Sequence, residues 1–175
     1  MVIREVQEAD LPALAELHVA AWQVAYRQIL PAEFLNNLST STAEARWADL
    51  LEDARRTTLV AEVNGRVAGF VGFGDSRDED DDPHVVGEIY AVYVHPEFWG
   101  QGAGTALVRQ AINQLQDRGL REVTVWTLTE NALARAFYEK MGFTGDNATK
   151  RIARPEVTFN EVRYRRQTWP RIIRS

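Results

Sequence analysis

Three glycines at alternate positions, Gly100, Gly102 and Gly104, stand directly before a stretch with helical periodicity. The first N–H groups of an α-helix have no partner within the helix, and the helix dipole favours negative charge at that end. Glycines just before a helix let an anion approach the main chain. The pattern predicts a site for a phosphate or pyrophosphate, with a plain tight turn as the structural alternative.

Two other nucleotide-binding motifs fit this turn poorly. The sequence GQGAGT at 100–105 lacks the Lys-Ser/Thr ending of a P-loop. It also misses the G-x-G-x-x-G spacing of the dinucleotide-binding fold, which needs an acidic residue about 20 positions further on. A nucleotide-dependent oxidoreductase is therefore an alternative that the hairpin and helices preceding the turn do not favour.

A carboxylate lies in the strand that precedes the glycines. Residues 85–94 are apolar or aromatic on both alternating faces, which predicts a strand buried on both sides. Glu88 is the only charged residue in it, and burial would raise its pKa toward the range of a general base. Glu88 either accepts the proton of a protonated amine or serves as a structural partner for a basic side chain.

Two helical stretches carry side chains that could line a pocket. His18, Trp22 and Tyr26 recur every four residues and would form one stripe, which serves either core packing or an acceptor pocket. Asn131 and Tyr138 are seven residues apart, about 700° around a helix, so they point the same way.

Composition limits the classes of function. The 175 residues are 45% hydrophobic and predict one domain, residues 1–175. The net charge of -5 argues against nucleic-acid binding, and the absence of cysteine excludes thiol nucleophiles and thiolate metal sites. The three histidines are far apart, so no metal is expected. Without an apolar membrane segment or a signal peptide, the expectation is a soluble, cytoplasmic protein that binds no membrane.

Charge is unevenly distributed along the chain. The stretch DSRDEDDD at 75–82 is almost wholly acidic, whereas residues 150–175 carry eight basic side chains. A solvated surface is the ordinary interpretation of both runs. The alternatives are attraction of a cationic substrate by the acidic run and a partner surface on the basic one.

Hydrophobic periodicity predicts alternating strands and helices. A strand at 2–6 precedes a helix at 11–26, which Asp10 would cap. The other predicted elements are helical pieces at 31–38 and 41–54, the latter capped by Ser41 or Thr42, a hairpin at 57–75 turning at Asn64-Gly65, a helix ending at Gly119, a strand at 122–128, a helix within 129–143 and a last hairpin with a long connection within 150–166.

This order of elements resembles the GNAT family, the GCN5-related N-acetyltransferases. The segment VYVHPEFWGQGAGTALV at 92–108 is similar to the family's acyl-CoA signature, Q/R-x-x-G-x-G/A. The segment NALARAFYEKMGF at 131–143 resembles its N-x-x-A-x-x-F-Y-x-x-x-G-F motif. The resemblance implies an α/β (α+β) fold: a mixed, mostly antiparallel central sheet flanked by helices, with a central parallel strand pair splayed for acyl-CoA.

The resemblance also implies roles for particular residues. Tyr138 would face the thioester sulfur and act with Glu88 in catalysis. If the stripe on the first helix lines the acceptor pocket, Trp22 and Tyr26 would contact the acceptor together with Glu88. Acetyl-CoA would be held by the main chain of the strand, by the glycine turn and by two residues of the later helix: Val92, Tyr93, Val94, Gly100, Gln101, Gly102, Ala103, Gly104, Thr105, Asn131 and Tyr138.

The chain departs from the family at the phosphate-binding turn. Trp99 stands where Gln or Arg is frequent, and Gln101 where a basic residue is frequent. Main-chain donors survive such changes, and Arg109, Arg135 or Lys140 could supply the missing charge.

The prediction is an acetyl-CoA-dependent N-acetyltransferase that acts on a primary amine of a small molecule, amino acid or peptide, without a metal. A non-catalytic acyl-CoA sensor is the alternative, and a homodimer through the last strand or the basic tail is a family expectation.

Overall fold

Seven strands form one mixed sheet in the computed structural model, which describes residues 1–168. The strands are β1 Val2–Glu5, β2 Arg56–Val63, β3 Arg66–Asp75, β4 Val86–Val94, β5 Glu122–Leu128, β6 Thr144–Ala153 and β7 Thr158–Gln167. The helices are α1 Leu11–Ala25, α2 Ala32–Asn36, α3 Thr40–Glu52, α4 Ala103–Asp117 and α5 Ala132–Lys140, with short 3₁₀ turns at Glu8–Asp10 and Pro96–Phe98. The end of the basic segment, 169–175, lies outside the described residues.

The strand order is β1-β2-β3-β4-β5-β7-β6. Every neighbouring pair is antiparallel except β4 and β5, which are parallel and joined by α4. This architecture confirms the predicted fold class. The β2–β3 turn is also as predicted, since Asn64 and Gly65 have φ of 51° and 76°, the left-handed values that a two-residue type I′ hairpin turn requires.

The two faces of the sheet are covered by different helices. The apolar stripe of α4 packs with α5 on one face, where Leu107, Ala111 and Leu115 are fully buried. Helices α1 and α3 pack on the other face, around Leu14 and Trp47. The cap of α3 was predicted wrongly, because Ser39 rather than Ser41 or Thr42 accepts the N–H of Thr42. No helix within residues 1–168 is both long and apolar enough to cross a membrane.

The last two strands differ in part from the prediction. They form a hairpin, but β6 begins at Thr144, and only the short segment 154–157 connects it to β7. Since β7 lies between β5 and β6, the last strand is not at an edge of the sheet. The edge strands are β1 and β6, so a dimer formed by edge pairing would use one of these two.

The acidic run and the basic segment pair with each other. Arg163 of β7, 5% exposed, bonds to Asp78, Asp80 and Asp146 at 2.7–3.0 Å. Arg165 bonds to Asp81 and Glu122 at 2.7 and 3.0 Å. We call these residues the ion-pair cluster: Asp78, Asp80, Asp81, Glu122, Asp146, Arg163 and Arg165. The solvated-surface interpretation was therefore wrong for the two arginines and most of their partners, because the carboxylates neutralise both arginines within the fold. The cluster as a whole stays negative, and the Asp80 side chain remains 66% exposed.

Candidate active site

Strands β4 and β5 separate halfway along their length. Their pairing runs only from Val86–Glu122 to Ile89–Val125, although β4 continues to Val94 and β5 to Leu128. The part of β4 beyond Ile89 is also only partly buried, so the prediction of full burial holds for the first half of the strand. The result is the predicted splayed gap, with an unpaired strand edge along β4.

A β-bulge at Tyr90 sets which groups of β4 face this gap. Gly72 of β3 pairs with Ala91 and Phe73 with Ile89, so Tyr90 is the extra residue. Further along, the N–H of His95 donates to Ala68 of β3. Because successive residues of a strand direct their N–H groups to opposite sides, Val92 and Val94 point theirs into the gap, whereas the main chain of Tyr93 bonds to β3. The predicted main-chain contact of Tyr93 with acetyl-CoA is therefore not available, and its side chain packs on Trp22 and Tyr26.

Trp99 occupies one of the main-chain carbonyl groups that β4 exposes to the gap. Its indole Nε1 donates to the carbonyl of Val94 at 2.7 Å, and the side chain is 43% exposed. The residue that departs from the family motif thus occupies the end of the strand edge through a hydrogen bond.

The glycine turn has the geometry of an anion site. Gly100 and Gly102 have φ of 75° and 85°, where other residues would be strained. Helix α4 then begins at Ala103, so the N–H groups of 103–105 lie in its first turn, where intrahelical partners are lacking. Gly104 lies beside the end of β4, since a Cβ there would be 3.5 Å from Val94 Cγ2. The side chain of Gln101 turns away and donates to the Glu97 carbonyl.

Basic side chains near the turn differ in their freedom to compensate. Arg109 and Lys140 are exposed. Arg135 is held by the Tyr164 hydroxyl and the Thr129 carbonyl at 3.0 and 3.2 Å, so it is committed to the packing of α5. Asn131 caps the same helix by accepting the N–H of Ala134 at 3.1 Å, which leaves its amide NH₂ as the group that can face a ligand.

Tyr26, Tyr93 and Tyr138 lie close enough to one another for their hydroxyls to interact electrostatically. Those of Tyr26 and Tyr93 are 3.0 Å apart. Tyr138 is 5% exposed and packs between Phe137 and Phe143. Burial, together with the nearby Tyr93 hydroxyl, raises the pKa of Tyr138, so it stays protonated and can donate a hydrogen bond at neutral pH.

A cavity of about 340 Å³ opens on the other side of β4, between α1, α3 and the sheet. We call it the arginine cavity, because four arginines line it together with aromatic side chains: Arg46, Arg56, Arg77, Arg154, His18, Trp22, Trp47 and Tyr90. Trp22 stacks on His18 with ring centres 5.4 Å apart. Of the predicted acceptor-binding residues only Trp22 lines this cavity. Tyr26 lies behind it, edge-on to the Trp22 ring.

Glu88 is held by an arginine. Its carboxylate accepts Nε and Nη2 of Arg77 at 3.0 and 2.6 Å, and the main-chain N–H of Arg77 at 3.0 Å. Glu88 is 2% exposed. These contacts are those of the structural partner considered above, and they hold the Arg77 side chain at the wall of the cavity.

Comparison of the sequence with models of protein families shows which family the chain belongs to. The model of the acetyltransferase (GNAT) family matches residues 12–143. The chain belongs to the GNAT family. Membership confirms the predicted family and the prediction that the protein is an N-acetyltransferase enzyme.

Relatives with names and structures support the same assignment. The chain is 30% identical to the uncharacterized N-acetyltransferase YuaI of Bacillus subtilis (strain 168) over 131 residues, 75% of this chain and 73% of that protein. It is 31% identical to the L-amino acid N-acyltransferase MnaT of Escherichia coli (strain K12) over 145 residues, 82% of this chain and 79% of that one. The structure of yncA from Salmonella typhimurium with its cofactor acetyl-CoA superposes with a TM-score of 0.71 at 25% identity, covering 97% of this chain and 95% of that one.

The sequence analysis of this GNAT member missed the arginines of the cavity. Arg56 lies at the start of β2, and its guanidinium packs 5.4–5.5 Å from the ring centres of Trp47 and Tyr90. A signal was available in the glycines at 72 and 74 of β3, because an isolated glycine in a strand often marks a close approach. A Cβ on Gly72 would collide with the Arg56 guanidinium.

Proposed function

We propose that this protein transfers the acetyl group of acetyl-CoA to a primary amine of a small molecule, amino acid or peptide by direct attack. The observation that carries the proposal is the meeting of two openings at one strand. The β4–β5 gap adjoins Val92 and Val94, and the arginine cavity reaches Tyr90 and Ala91 directly before them. A donor in the gap and an acceptor in the cavity would meet at the bulge of β4.

The donor is held mainly by main-chain groups. The N–H groups of Val92 and Val94 offer an added strand edge to the pantetheine arm. The first turn of α4, after Gly100 and Gly102, offers N–H groups to the pyrophosphate. Such contacts need no particular side chain, which is why Trp99 and Gln101 do not exclude acetyl-CoA.

In the reaction the amine nitrogen forms a bond to the carbonyl carbon while the bond from that carbon to sulfur breaks. The N–H of Val94 would stabilise the developing oxyanion. Tyr138 would donate a hydrogen bond to the leaving thiolate. Its raised pKa means that hydrogen bonding precedes full proton transfer, because a phenol is a weaker acid than a thiol even at their ordinary values of about 10 and 8.5.

Glu88 is the candidate to receive the amine proton, either directly or through water. Its pairing with Arg77 supports the competing structural role. The pH dependence of kcat/KM separates the two. A base at position 88 predicts that Glu88→Gln removes the acid limb of the profile, whereas a structural partner predicts the same limb with a higher acceptor KM.

The first experiment is thiol release from acetyl-CoA across a panel of amines, amino acids and peptides, with each acetylated product identified by mass. Release that depends on an acceptor and yields an acetylated amine supports the proposal. Binding of acetyl-CoA without turnover on any acceptor would favour the sensor alternative, and no binding of acetyl-CoA would refute the donor assignment.

Tyr138→Phe sharpens the same test. Loss of the hydroxyl should lower kcat by at least about tenfold while the Kd of coenzyme A stays within about twofold. Tyr164→Phe is the matched control, since its hydroxyl bonds to Glu139 and Arg135 instead. Equal kcat losses in the two variants would show that Tyr138 acts through packing.

A further inference from the structure

The arginine cavity holds more positive charge than its own surroundings neutralise. Its lining contains four arginines, and within the described part of the chain it contains no carboxylate. Arg77 alone has a carboxylate beside it, Glu88. Arg46 and Arg154 lie exposed at the rim, whereas Arg56 is partly buried.

Arg56 is positioned as a ligand-binding group rather than as a surface charge. Its Nε donates to the Thr58 hydroxyl at 3.2 Å, and it lies beside the rings of Trp47 and Tyr90. Gly72 leaves the space that the guanidinium occupies. In residues 1–168 no carboxylate forms an ion pair with Arg56. A partly buried cation without a partner lowers stability, so its retention in a built position points to an anion that arrives with the ligand.

The rest of the cavity suits a small organic molecule. Burial lowers the pKa of His18 to about 4, so this side chain is neutral near pH 7 and stacks on Trp22. Within the described residues His18 Nδ1 and Trp22 Nε1 are buried without a hydrogen-bond partner, so the aromatic wall also offers polar groups. The volume, about 340 Å³, is at the lower end of the range for small-molecule sites. Aromatic side chains beside the partly buried Arg56 guanidinium suit a compact molecule that has an apolar part and a carboxylate.

Distance connects this guanidinium to the reaction. Gly72, over which Arg56 lies, pairs with Ala91 of β4, so the guanidinium is about one strand spacing, roughly 5 Å, from the strand that borders the gap. A carboxylate bound there leaves an amine on the neighbouring carbon close to the bulge. An α-amino acid has this separation of its two groups.

We propose that Arg56 binds the carboxylate of the acceptor, so that the enzyme acetylates free amino acids in preference to amines without a carboxylate. This inference rests on the proposed function. Arg46 and Arg154, at the rim, attract the same anion toward the cavity.

The test compares matched acceptors. A panel of amino acids is assayed against the corresponding amides and decarboxylated amines, with wild type and Arg56→Met. The free acids should have a kcat/KM higher by about tenfold or more, and Arg56→Met should remove this preference. Arg55→Met is the control, since Arg55 lies one residue away, is exposed and pairs with Asp53. It should keep the preference.

A binding measurement makes the inference independent of turnover. Calorimetric titration of the same amino acids and amides onto the protein should show tighter binding of the acids, lost in Arg56→Met and kept in Arg55→Met. Amides that react and bind as well as the acids would overturn the inference and leave the proposed function standing. If nothing is acetylated, the proposed function fails, and the titration alone decides whether Arg56 binds a carboxylate.

Discussion

Arg56 and Arg163 lie against the same face of the sheet but differ in their partners. Arg163 bonds to three carboxylates and is 5% exposed. Arg56 has the Thr58 hydroxyl and two aromatic rings beside it. The segment 77–78 divides the two regions, since Arg77 belongs to the cavity and Asp78 to the ion-pair cluster.

The contrast shows two uses of the same side chain. In the ion-pair cluster the fold supplies the countercharge, so the arginine contributes to the folded structure. In the arginine cavity the countercharge is left to a ligand, so the arginine contributes to recognition and lowers stability until a ligand binds. Replacing Arg163 should therefore lower the free energy of unfolding. Replacing Arg56 should impair recognition of the acceptor without lowering that free energy.

The largest effect is expected from Arg163→Met. This change would leave Asp78 and Asp80 without their cation, whereas Asp146 keeps Arg165 at 3.3 Å. Breaking a buried pair such as Arg163–Asp78 costs about 3–5 kcal/mol. The free energy of unfolding from urea titration should fall by that amount. Arg55→Met, at an exposed pair, should leave it nearly unchanged. Equal small losses in both variants would contradict the distinction between the regions.

The next effect is a dependence of stability on pH that arises in the cavity. Burial, with repulsion from Arg46 and Arg154, lowers the pKa of His18 from 6.5 to about 4. The unfolded chain then binds a proton that the folded chain does not, so stability is complete above about pH 6.5 and falls as the pH drops toward 4. The loss should reach up to about 3 kcal/mol, and His18→Gln should remove this slope.

The ion-pair cluster loses its contribution at lower pH. The hydrogen bond from Arg163 lowers the pKa of Asp80 from 3.8 to about 2. The contribution of the Arg163–Asp80 pair to the free energy of unfolding is present above about pH 4 and disappears as the pH falls toward 2. Unfolding curves measured from pH 7 to pH 2 should therefore show two separate pH ranges in which stability is lost, the first assigned to His18 and the second to the ion-pair cluster. A slope between 6.5 and 4 that persists in His18→Gln would show that His18 is not its source.

A smaller change is expected from Arg56→Met. Burial lowers the pKa of this guanidinium to about 10, which records an unfavourable environment for the charge. Removing it should leave the free energy of unfolding unchanged or higher by up to about 1 kcal/mol, by urea titration without acceptor. A loss of 2 kcal/mol or more would mean that Arg56 is a structural residue.

The smallest effect is expected from Gly72→Ala. The added methyl group must move the Arg56 guanidinium, which is the flexible end of its side chain, so the fold should accept the change. The KM for an acidic acceptor should rise a few-fold while the KM for acetyl-CoA stays the same. An unchanged acceptor KM would argue against a fixed position for Arg56.

Sequence patterns predicted the frame of this molecule well. Periodicity located the helices and strands, and the Asn64-Gly65 turn and the glycines before α4 have the left-handed geometry that only such residues adopt easily. These features are local, so a single stretch of sequence contains the information. The resemblance to the GNAT family added the gap between β4 and β5.

Features that depend on distant residues were not predictable in the same way. The pairing of Asp78 and Asp80 with Arg163 joins positions about 85 residues apart, and neither charged run indicates its partner. Glu88 was identified as unusual, but its contact with Arg77 depends on how the loop after β3 folds back. The role of Arg56 could be inferred only from the structure, which places Gly72 and Tyr90 beside it.

Trp99 has a consequence for spectroscopy. Its indole donates to the last carbonyl of β4 while 43% of the residue stays exposed, whereas Trp22 and Trp47 are buried. A chain entering the gap would change the polarity around the Trp99 indole. Because the chain has five tryptophans, the emission shift that wild type shows and Trp99→Phe lacks would report occupancy of the gap, without a label and without a reaction.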